Sequence, residues 1–415
     1  MAKNNVPNVR FKDFADNWEG RKLRDIAEIV STKNIDLAVS ETFTNSAEYG
    51  VISQRDYFDH DVTNAENIGG YYVIGENDFV YNPRISVAAP VGPVNRNKLN
   101  RKGVMSPLYT IFKTHDIDLS FLEFYFKGDK WHNYMYFNGD TGARFDRFSI
   151  KNEVFFDMPV PYPEEEEQRK IGEYLKNLDG MMTLHKIKYE KLKLFKEAML
   201  DKMFPKNGEK VPAIRFKGFD GEWERRELKT LCDKFIDGDW IETKDQSESG
   251  IRLIQTGNIG IGEFIDKACN KKWISQDTFK RLHCTEVYPG DILISRLPEP
   301  AGRACIIPEL DTKAITAVDC TIVRISDKYS SKFLIQYLSS RDYFDKVNTC
   351  LAGGTRQRIG RSNLAEFDVV IPKDKEEQAA IGGFFSSLDN LTNLHRLKYE
   401  KLNLFKEAML DKMFV

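Results

Sequence analysis

Residues 185–204 read HKIKYEKLKLFKEAMLDKMF, and residues 395–414 read HRLKYEKLNLFKEAMLDKMF. Seventeen of the twenty aligned positions are identical, and the three differences are Lys186/Arg396, Ile187/Leu397 and Lys193/Asn403. Identity of this extent over twenty residues does not arise by chance. The chain therefore contains the same segment twice, and the rest of the sequence is organised around the two copies.

Both copies are predicted to be long α-helices. Lys, Glu, Leu, Met and Ala dominate them, and no proline interrupts either copy. Apolar or ring side chains recur at steps that alternate mostly between three and four residues, which is the period of a coiled-coil seam. The seam positions are Ile171, Leu175, Leu178, Met182, His185, Tyr189, Leu192, Phe195, Met199 and Met203, then Ile381, Phe385, Leu388, Thr392, His395, Tyr399, Leu402, Phe405, Met409 and Met413. Each helix needs a partner along its seam, and the simplest partner is the other copy in an antiparallel coiled coil.

The composition is that of an ordinary globular protein. The 415 residues are 41% hydrophobic and 30% charged, which allows two to four domains. Six cysteines without a CxxC pair suit a reduced cytosol and imply neither zinc nor disulfides. No apolar run is long enough to cross a bilayer, and the first residues do not resemble a signal peptide. We expect a cytoplasmic protein that does not associate with a membrane. The net charge of −2 is only a weak argument against nucleic acid, because local basic patches can coexist with acidic faces.

A second duplicated segment opens each half of the chain. PNVRFKDFADNWEGRKL at residues 7–23 reappears as PAIRFKGFDGEWERREL at residues 212–228. The identical pairs include Arg10/Arg215, Phe11/Phe216, Phe14/Phe219, Trp18/Trp223 and Glu19/Glu224. The order is opening segment, variable region and long helix, and then the same again.

Each variable region shows short β-rich runs bounded by turns, which predicts an α+β fold for the whole chain. The runs are at residues 49–53, 71–75, 78–82, 106–113, 251–259, 290–296 and 319–325, and helices are predicted at residues 121–137 and 331–340. The two regions share few side chains apart from Asp78 with Asp291 and the closing motifs FDMPVP (156–161) and FDVVIP (367–372). The opening segments and long helices, which form the scaffold, are nearly the same in both halves, while the variable regions, which could contact a ligand, differ.

A basic, glycine-led loop precedes each closing motif, at residues 139–148 and 353–361. Aligning the closing motifs pairs Arg147 with Arg358, and Arg144 and Arg356 lie close by. Glycine allows the backbone to approach a ligand, and arginine forks suit phosphate or guanine edges. The alternative is a solvated surface turn. Further basic candidates, each of which taken singly is better interpreted as an ordinary surface charge than as a contact, are Arg96, Lys98, Arg101, Lys102, Lys271, Lys272, Lys280 and Arg281.

The sequence lacks several common catalytic motifs. There is no Walker A motif, HExxH, GxSxG or metal-spaced Cys/His set, and the six histidines are scattered. The glycine-rich run at residues 257–264 is best interpreted as a turn between strands. The acidic residues 164–167 and 376–377 precede the long helices, where negative charge is favoured by the helix dipole, so helix capping explains them.

The combined arrangement resembles the specificity (S) subunits of type I restriction–modification systems over essentially the whole chain. The motif that introduces each long helix stands here as VPYPEEEEQRKIGEYLKNLD (160–179) and IPKDKEEQAAIGGFFSSLD (371–389). The resemblance implies four segments: a first target recognition domain with its opening segment (1–163), a central long helix (164–205), a second target recognition domain (206–373) and a distal long helix (374–415).

The resemblance also implies a function and partners. Each target recognition domain would read one half of a split site in double-stranded DNA, while the helices set the spacing and dock two modification (methyltransferase) subunits. The chain itself would be non-catalytic and bind no cofactor. S-adenosylmethionine, ATP and Mg²⁺ would belong to the modification and restriction subunits of the full complex.

Two other functions compete with this interpretation. One is a duplicated coiled-coil adaptor whose β-rich domains bind proteins, but its basic loops should then not match in position. The other is an enzyme fused to a recognition module, which should add several hundred residues and the motifs of a methyltransferase.

Overall fold

The computed structural model describes residues 6–58, 65–141, 146–206, 208–267, 269–354 and 356–415, and only the backbone of residues 65–67. The chain divides into two compact units. The first unit comprises residues 1–186 and 397–415, and the second comprises residues 187–396. The unit boundary thus falls inside both long helices, and each unit is described by itself below.

Ten α-helices lie in the described part of the chain. They are α1 (Gln54–Tyr57), α2 (Leu119–Lys127), α3 (His132–Asn138), α4 (Asn152–Phe156), α5 (Glu165–Met203), α6 (Gln276–Arg281), α7 (Ser331–Tyr337), α8 (Arg341–Thr349), α9 (Arg361–Ala365) and α10 (Lys375–Lys412). The two long helices predicted from the duplicated segments are confirmed as α5 and α10, with 39 and 38 residues.

The strands are short and fall within the two variable regions and their borders. They are β1 (Glu19–Lys22), β2 (Ala27–Ile29), β3 (Phe43–Ser46), β4 (Gly50–Ser53), β5 (Tyr72–Ile74), β6 (Phe79–Tyr81), β7 (Val94–Arg96), β8 (Gly103–Met105), β9 (Thr110–Thr114), β10 (Pro159–Tyr162), β11 (Glu224–Glu227), β12 (Cys232–Asp237), β13 (Gln246–Ser247), β14 (Ile251–Ile254), β15 (Lys272–Ile274), β16 (Ile292–Ser295), β17 (Ala304–Ile306), β18 (Ala314–Thr316), β19 (Cys320–Ile325), β20 (Leu351–Ala352), β21 (Arg358–Ile359) and β22 (Asp368–Ile371).

The first unit is built on a four-stranded antiparallel sheet in the order β2-β9-β6-β7. Phe79 and Phe112 stack on one another in its centre, with ring centroids 5.5 Å apart. Both rings belong to a core that also contains residues of α2 and α5. The strands of the two-stranded pairs β3-β4 and β5-β8 lie between those of this sheet in sequence, and β1 pairs with β10. The strand that opens the unit is therefore held by the strand that leads into the long helix.

The second unit repeats this plan with additions. Its main sheet has the order β12-β19-β16-β17, and β11 pairs with β22 as β1 pairs with β10. A second four-stranded sheet, β13-β15-β14-β18, contains a parallel pair between β14 and β18. A hairpin of β20 and β21 completes the unit. The main sheets correspond strand by strand, while the elements around them differ.

Asp78 and Asp291 form the same turn in the two units. The Asp78 carboxylate accepts a hydrogen bond from Gly75 N at 2.6 Å, and the Asp291 carboxylate accepts one from Tyr288 N at 2.9 Å. Each aspartate immediately precedes the strand at the third position of its main sheet. The equivalence of Asp78 with Asp291, predicted from the sequence, is confirmed, and it aligns Phe79 with Ile292.

Each long helix begins with a buried carboxylate. Glu167 is fully buried and receives two hydrogen bonds from the guanidinium of Arg10, at 2.7 and 2.8 Å, and one from the indole of Trp18 at 3.0 Å. In the second unit Glu377 receives the same two bonds from Arg215, at 2.6 and 2.8 Å. Both glutamates lie in the first turn of their helix, as the helix-dipole explanation expects. Each one also joins an opening segment to its helix.

A glutamine and a glycine of the helix motif fix the next element. The amide oxygen of Gln168 accepts a bond from Asp118 N, just before α2, and its amide nitrogen donates to Pro163 O. Gln378 makes the matching bonds to Ser330 N, just before α7, and to Pro372 O. A β-carbon at Gly172 would lie 2.8 Å from the Asp118 carboxylate and 3.0 Å from Phe121 N. Glycine therefore lets the start of α2 lie directly on α5.

Gly382 has the same role in the second unit. A β-carbon there would lie 2.8 Å from the backbone nitrogen of Phe333 in α7. Phe121 and Phe333 are therefore equivalent positions, and the IG pair in each helix motif marks a helix crossing.

The end of each long helix completes a core in the unit to which it belongs. In the first unit the ring of Phe414 packs 5.2 Å from Phe121 and 6.0 Å from Tyr125. In the second unit the ring of Phe204 packs 5.1 Å from Phe333 and 6.4 Å from Tyr337. Residues 397–415 are thus part of the first unit's core, although they are the last in the chain.

Within each unit, the segments of α5 and α10 are joined by an equivalent ion pair. Lys406 binds Asp179 at 2.5 Å in the first unit, and Lys196 binds Asp389 at 2.5 Å in the second. In the second unit Lys196 of α5 contacts Asp389 of α10. Phe204, which comes later in the chain than Lys196, packs against Phe385, which comes earlier than Asp389. The two segments in this unit therefore run antiparallel.

Two details differ from the sequence predictions. Residues 121–137 form two helices rather than one, because Gly128 ends α2 and Trp131 folds back to donate its indole N–H to Phe126 O and Gly128 O. Phe195 and Phe405, assigned to the seam, are 45% and 44% exposed. They lie at the edge of the packed side, next to leucines that are more exposed still.

We predict that Arg10→Ala destabilises the first unit by about 3–5 kcal/mol, because it leaves the Glu167 carboxylate buried without a cation. Hydrogen exchange measured by mass spectrometry should show lost protection in α2 and the first half of α5, with no change in α7. Arg215→Ala should reverse the pattern.

Arg21→Ala serves as the control, since Arg21 is 41% exposed and lies 3.8 Å from Glu19. It should cost no more than about 1 kcal/mol. Unchanged protection in both buried-arginine variants would contradict the role assigned to these pairs.

Candidate nucleic-acid interface

The two basic loops are held at equivalent places in their units. Phe148 N donates to Pro83 O at 2.7 Å in the first unit, and Ile359 N donates to Arg296 O at 3.1 Å in the second. Both acceptors lie five residues after the aspartate turn that the units share. Arg147 and Arg358 therefore occupy equivalent positions in their units, as the alignment of the closing motifs predicted.

In the first unit Arg147 lines a cleft of about 520 Å³ together with Tyr72, Tyr81, Tyr109 and Asn152. The lining combines aromatic, hydroxyl-bearing and amide side chains with aliphatic residues and prolines. Arg147 is the one charged group among the described residues that line it. Such a cleft can accept a negatively charged, ring-containing ligand.

In the second unit Arg356 and Arg358 lie on the β20–β21 hairpin, and both side chains are exposed. Gly353 has a φ of +115°, and a β-carbon there would lie 2.8 Å from Arg356 O. Glycine is therefore required for the tight turn that presents these arginines. Neither guanidinium has a carboxylate partner within the described parts of the chain.

Arg96 and Lys98 are engaged inside the first unit. They bind the two oxygens of Glu123, a 5%-exposed residue of α2, at 2.9 and 2.8 Å, and Lys127 lies 3.1 Å from the same carboxylate. Burial by itself would raise the pKa of Glu123, but the attraction of Lys127, Lys98 and Arg96 holds it below its ordinary value. The primary role of these two candidates is to neutralise a buried carboxylate.

The second unit has an apolar pair at the equivalent positions. Phe79 faces Arg96 across β6 and β7, and its counterpart Ile292 faces Ile306. Counting from Phe121 and Phe333, Glu123 corresponds to Ile335. A buried ion pair in one unit is thus replaced by two isoleucines in the other.

The remaining candidates divide into paired and unpaired residues. Arg101 makes two bonds of 2.7 Å to Glu41, and hydrogen bonding to Arg101 lowers the pKa of Glu41. Lys271 binds Asp266 at 2.8 Å. Lys102 and Lys272 are exposed, with no ion pair to any residue the structure describes. Arg144 lies outside the described residues.

No group of three or more His, Cys, Asp or Glu side chains with metal-binding geometry occurs among the described residues. No helix in the same set is long and apolar enough to span a bilayer.

The chain is thus an internal duplication. Its two units share the same main sheet order and the same junction with the long helices, and each unit has its own basic loop. The chain belongs to the family described as the type I restriction modification DNA specificity domain, whose profile matches residues 15–194 and 220–404. The resemblance proposed from the sequence is confirmed.

A curated relative and two solved structures are similar to this chain. The specificity subunit of the type I restriction enzyme MjaVIII from Methanocaldococcus jannaschii is 25% identical over 272 residues, covering 63% of this chain and 62% of that protein. The match thus spans less than two thirds of the relative's length.

The solved structures agree in fold. The S subunit of a type I restriction–modification system from M. genitalium has a TM-score of 0.63 with 13% identity, covering 99% of each chain. A chain from a study of complex assembly and conformational transition of the type I R-M system has a TM-score of 0.53 with 16% identity, covering 96% of this chain and 97% of that one.

We predict that Glu123→Ile alone destabilises the first unit, because it leaves the largely buried Arg96 without its carboxylate. The double variant Arg96→Ile/Glu123→Ile should recover most of that loss, since it copies the isoleucine pair of the second unit. Urea unfolding followed by hydrogen exchange in α2 measures both. A double variant less stable than the single would contradict the equivalence.

The same pair gives a pH dependence. Because the pKa of folded Glu123 lies below the unfolded value of 4.5, its ionisation stabilises the fold above that pH and the stabilisation is lost as the pH falls. The double variant should therefore lose less stability than wild type between about pH 5 and pH 3.

Proposed function

We propose that this chain is the specificity subunit of a type I restriction–modification complex, in which each unit reads one half of a bipartite DNA site. The observation that carries the proposal is the contrast between frame and surface. Both units have the same junction of opening segment, main sheet and long helices, whereas their surface elements and basic loops differ. A frame used twice with two different surfaces suits two different half-sites.

The DNA contacts are assigned first to Arg147, Arg356 and Arg358. Arg147 and Arg358 are held at equivalent places, and Arg356 lies on the same hairpin as Arg358. None of the three has a carboxylate partner among the described residues. Arg144 is in the same loop as Arg147 and stays a candidate. Lys102 and Lys272 are suited to phosphate contacts, while Arg96, Lys98, Arg101 and Lys271 are less available because each already binds a carboxylate.

The two long helices act as the spacer, packed along their seams as one antiparallel coiled coil. A helix of 39 residues is about 58 Å long at ~1.5 Å per residue. Recognition elements one turn of duplex apart are separated by about 34–36 Å. The helices are thus long enough to present two recognition domains to one DNA molecule.

The same helices carry exposed apolar side chains that suit two modification subunits. In the first unit these are Met181, Leu184, Leu397, Leu404 and Phe405, and in the second they are Leu391, Leu394, Ile187, Leu194 and Phe195. Each residue of one set has its duplicate in the other, and all are at least 40% exposed. Exposed apolar groups in such numbers mark a protein interface, and duplication gives two equivalent ones.

Catalysis belongs to the partners in this proposal. Adenine methylation with S-adenosylmethionine is assigned to the modification subunits, and ATP- and Mg²⁺-dependent translocation and cleavage to restriction subunits. The chain contributes recognition and assembly in the cytoplasm and binds no cofactor itself.

Mapping of methylated adenines tests the function. Cells carrying the complex should show a bipartite methylated motif with a fixed gap. Inserting four residues in one long helix adds one turn, ~6 Å, and should widen the gap by one or two base pairs of ~3.4 Å without changing either half-site. The parental gap in the insertion variant would rule out the spacer.

Replacing one exposed leucine tests the docking surfaces. Leu404 in the first unit and Leu194 in the second are 66% and 65% exposed, so a charged residue at either should leave the fold intact. Leu404→Glu and Leu194→Glu should each reduce the bound modification subunits from two to one in native mass spectrometry, and the double variant should bind none. Full occupancy in the double variant would exclude this surface.

A further inference from the structure

Two arginines of the first unit lie directly opposite one another across a backbone bridge. Arg84, which follows β6, pairs in antiparallel fashion with Arg147 of the basic loop. The pairing is fixed on both sides, since Phe148 N donates to Pro83 O at 2.7 Å and Ile85 N donates to Asp146 O at 3.0 Å. Two guanidinium groups are therefore brought to the same side of the loop by the backbone itself.

These two side chains differ from the other arginines of their unit. Arg10, Arg21, Arg24, Arg96, Arg101 and Arg169 each have a carboxylate within 4 Å, and Arg55 takes part in a further interaction. The guanidinium groups of Arg84 and Arg147 have neither a hydrogen bond nor a carboxylate partner among the residues that the structure describes.

An opposed pair of like charges is unfavourable by itself. Cations directly across a strand pair repel each other, and the repulsion is relieved when an anion lies between them. Arginine forks match the oxygens of a phosphate in both geometry and charge. The backbone pairing holds the two groups in place before the ligand arrives, so little ordering is needed on binding.

The surroundings favour a nucleic acid over a small anion. Arg147 lines the 520 Å³ cleft, and the described lining contains no carboxylate. Tyr72 and Tyr109 in its wall offer ring faces and hydroxyl groups, and Asn152 offers an amide. If the two arginines hold a phosphate, the cleft beside Arg147 therefore has room for the adjoining sugar and base.

The second unit lacks this pair. The bond from Ile359 N to Arg296 O aligns Arg296 with Pro83, so Leu297 stands where the first unit has Arg84. Arg358 alone corresponds to Arg147. The two units thus present different side chains at this position.

We propose that Arg84 and Arg147 together hold one phosphodiester of the DNA strand beside the first half-site. The inference rests on the proposed function and adds Arg84, which the sequence did not single out. Because the two arginines share one phosphate, their contributions to binding are not additive.

The test is a double-substitution cycle on the full-length chain bound to a duplex that contains its mapped methylation site. Affinity is measured from 50 to 300 mM salt for wild type, Arg84→Ala, Arg147→Ala and the double variant. The double variant should lower the slope of log K against log salt by about 0.9, the value for one phosphate, rather than about 1.8. Binding should weaken equally for all first half-site sequences.

Arg24→Ala is the matched control, because it removes the same charge from an arginine that binds Asp157 at 2.8 Å. Its slope should equal that of wild type. An unchanged slope in the double variant, a loss near 1.8, or relaxed recognition at one base position would each overturn the shared phosphate. Absence of site-specific binding by wild type would instead refute the proposed function.

Discussion

The structure depends on a buried carboxylate at the start of each long helix. Glu167 and Glu377 are removed from water, and a lone buried carboxylate would cost several kcal/mol. Each can stay ionised there only if the arginine of an opening segment reaches it, so Arg10 and Arg215 are compelled to lie against the helices. That single requirement ties together segments about 160 residues apart in sequence, as the separations of the bonded residues show.

The rest of each frame follows from this contact. Once the opening segment is on the helix, β1 and β11 meet the closing strands β10 and β22, and the glutamine and glycine of the helix motif place α2 and α7. The final aromatic side chain of a long helix then fills the core, as Phe414 does in the first unit and Phe204 in the second. Each core is closed by a helix end that follows the other variable region in the chain.

A frame of this kind allows the domains it carries to diverge. The Arg96–Glu123 pair and the isoleucines that replace it show that even buried positions can exchange charge for apolar volume while the sheet order stays the same. Replacing a buried ion pair by well-packed apolar residues of similar volume is often neutral or stabilising. The surface is freer still, and there the units differ in their loops, in the extra sheet of the second unit and in the arginines they present.

The duplicated sequences alone determined the two long helices, the repeat of opening segment and variable region, the Asp78/Asp291 equivalence and the family, because these features are carried by local period and by identity between the copies. Which arginines are available was decided by tertiary structure. Arg96, Lys98 and Arg101 are as basic as Arg147 in the sequence, yet each meets a carboxylate from a distant segment. Arg84 lies opposite Arg147 only because of a backbone bridge between residues 63 positions apart in the chain. Long-range pairing of charges depends on which segments fold together, and no local pattern contains that information.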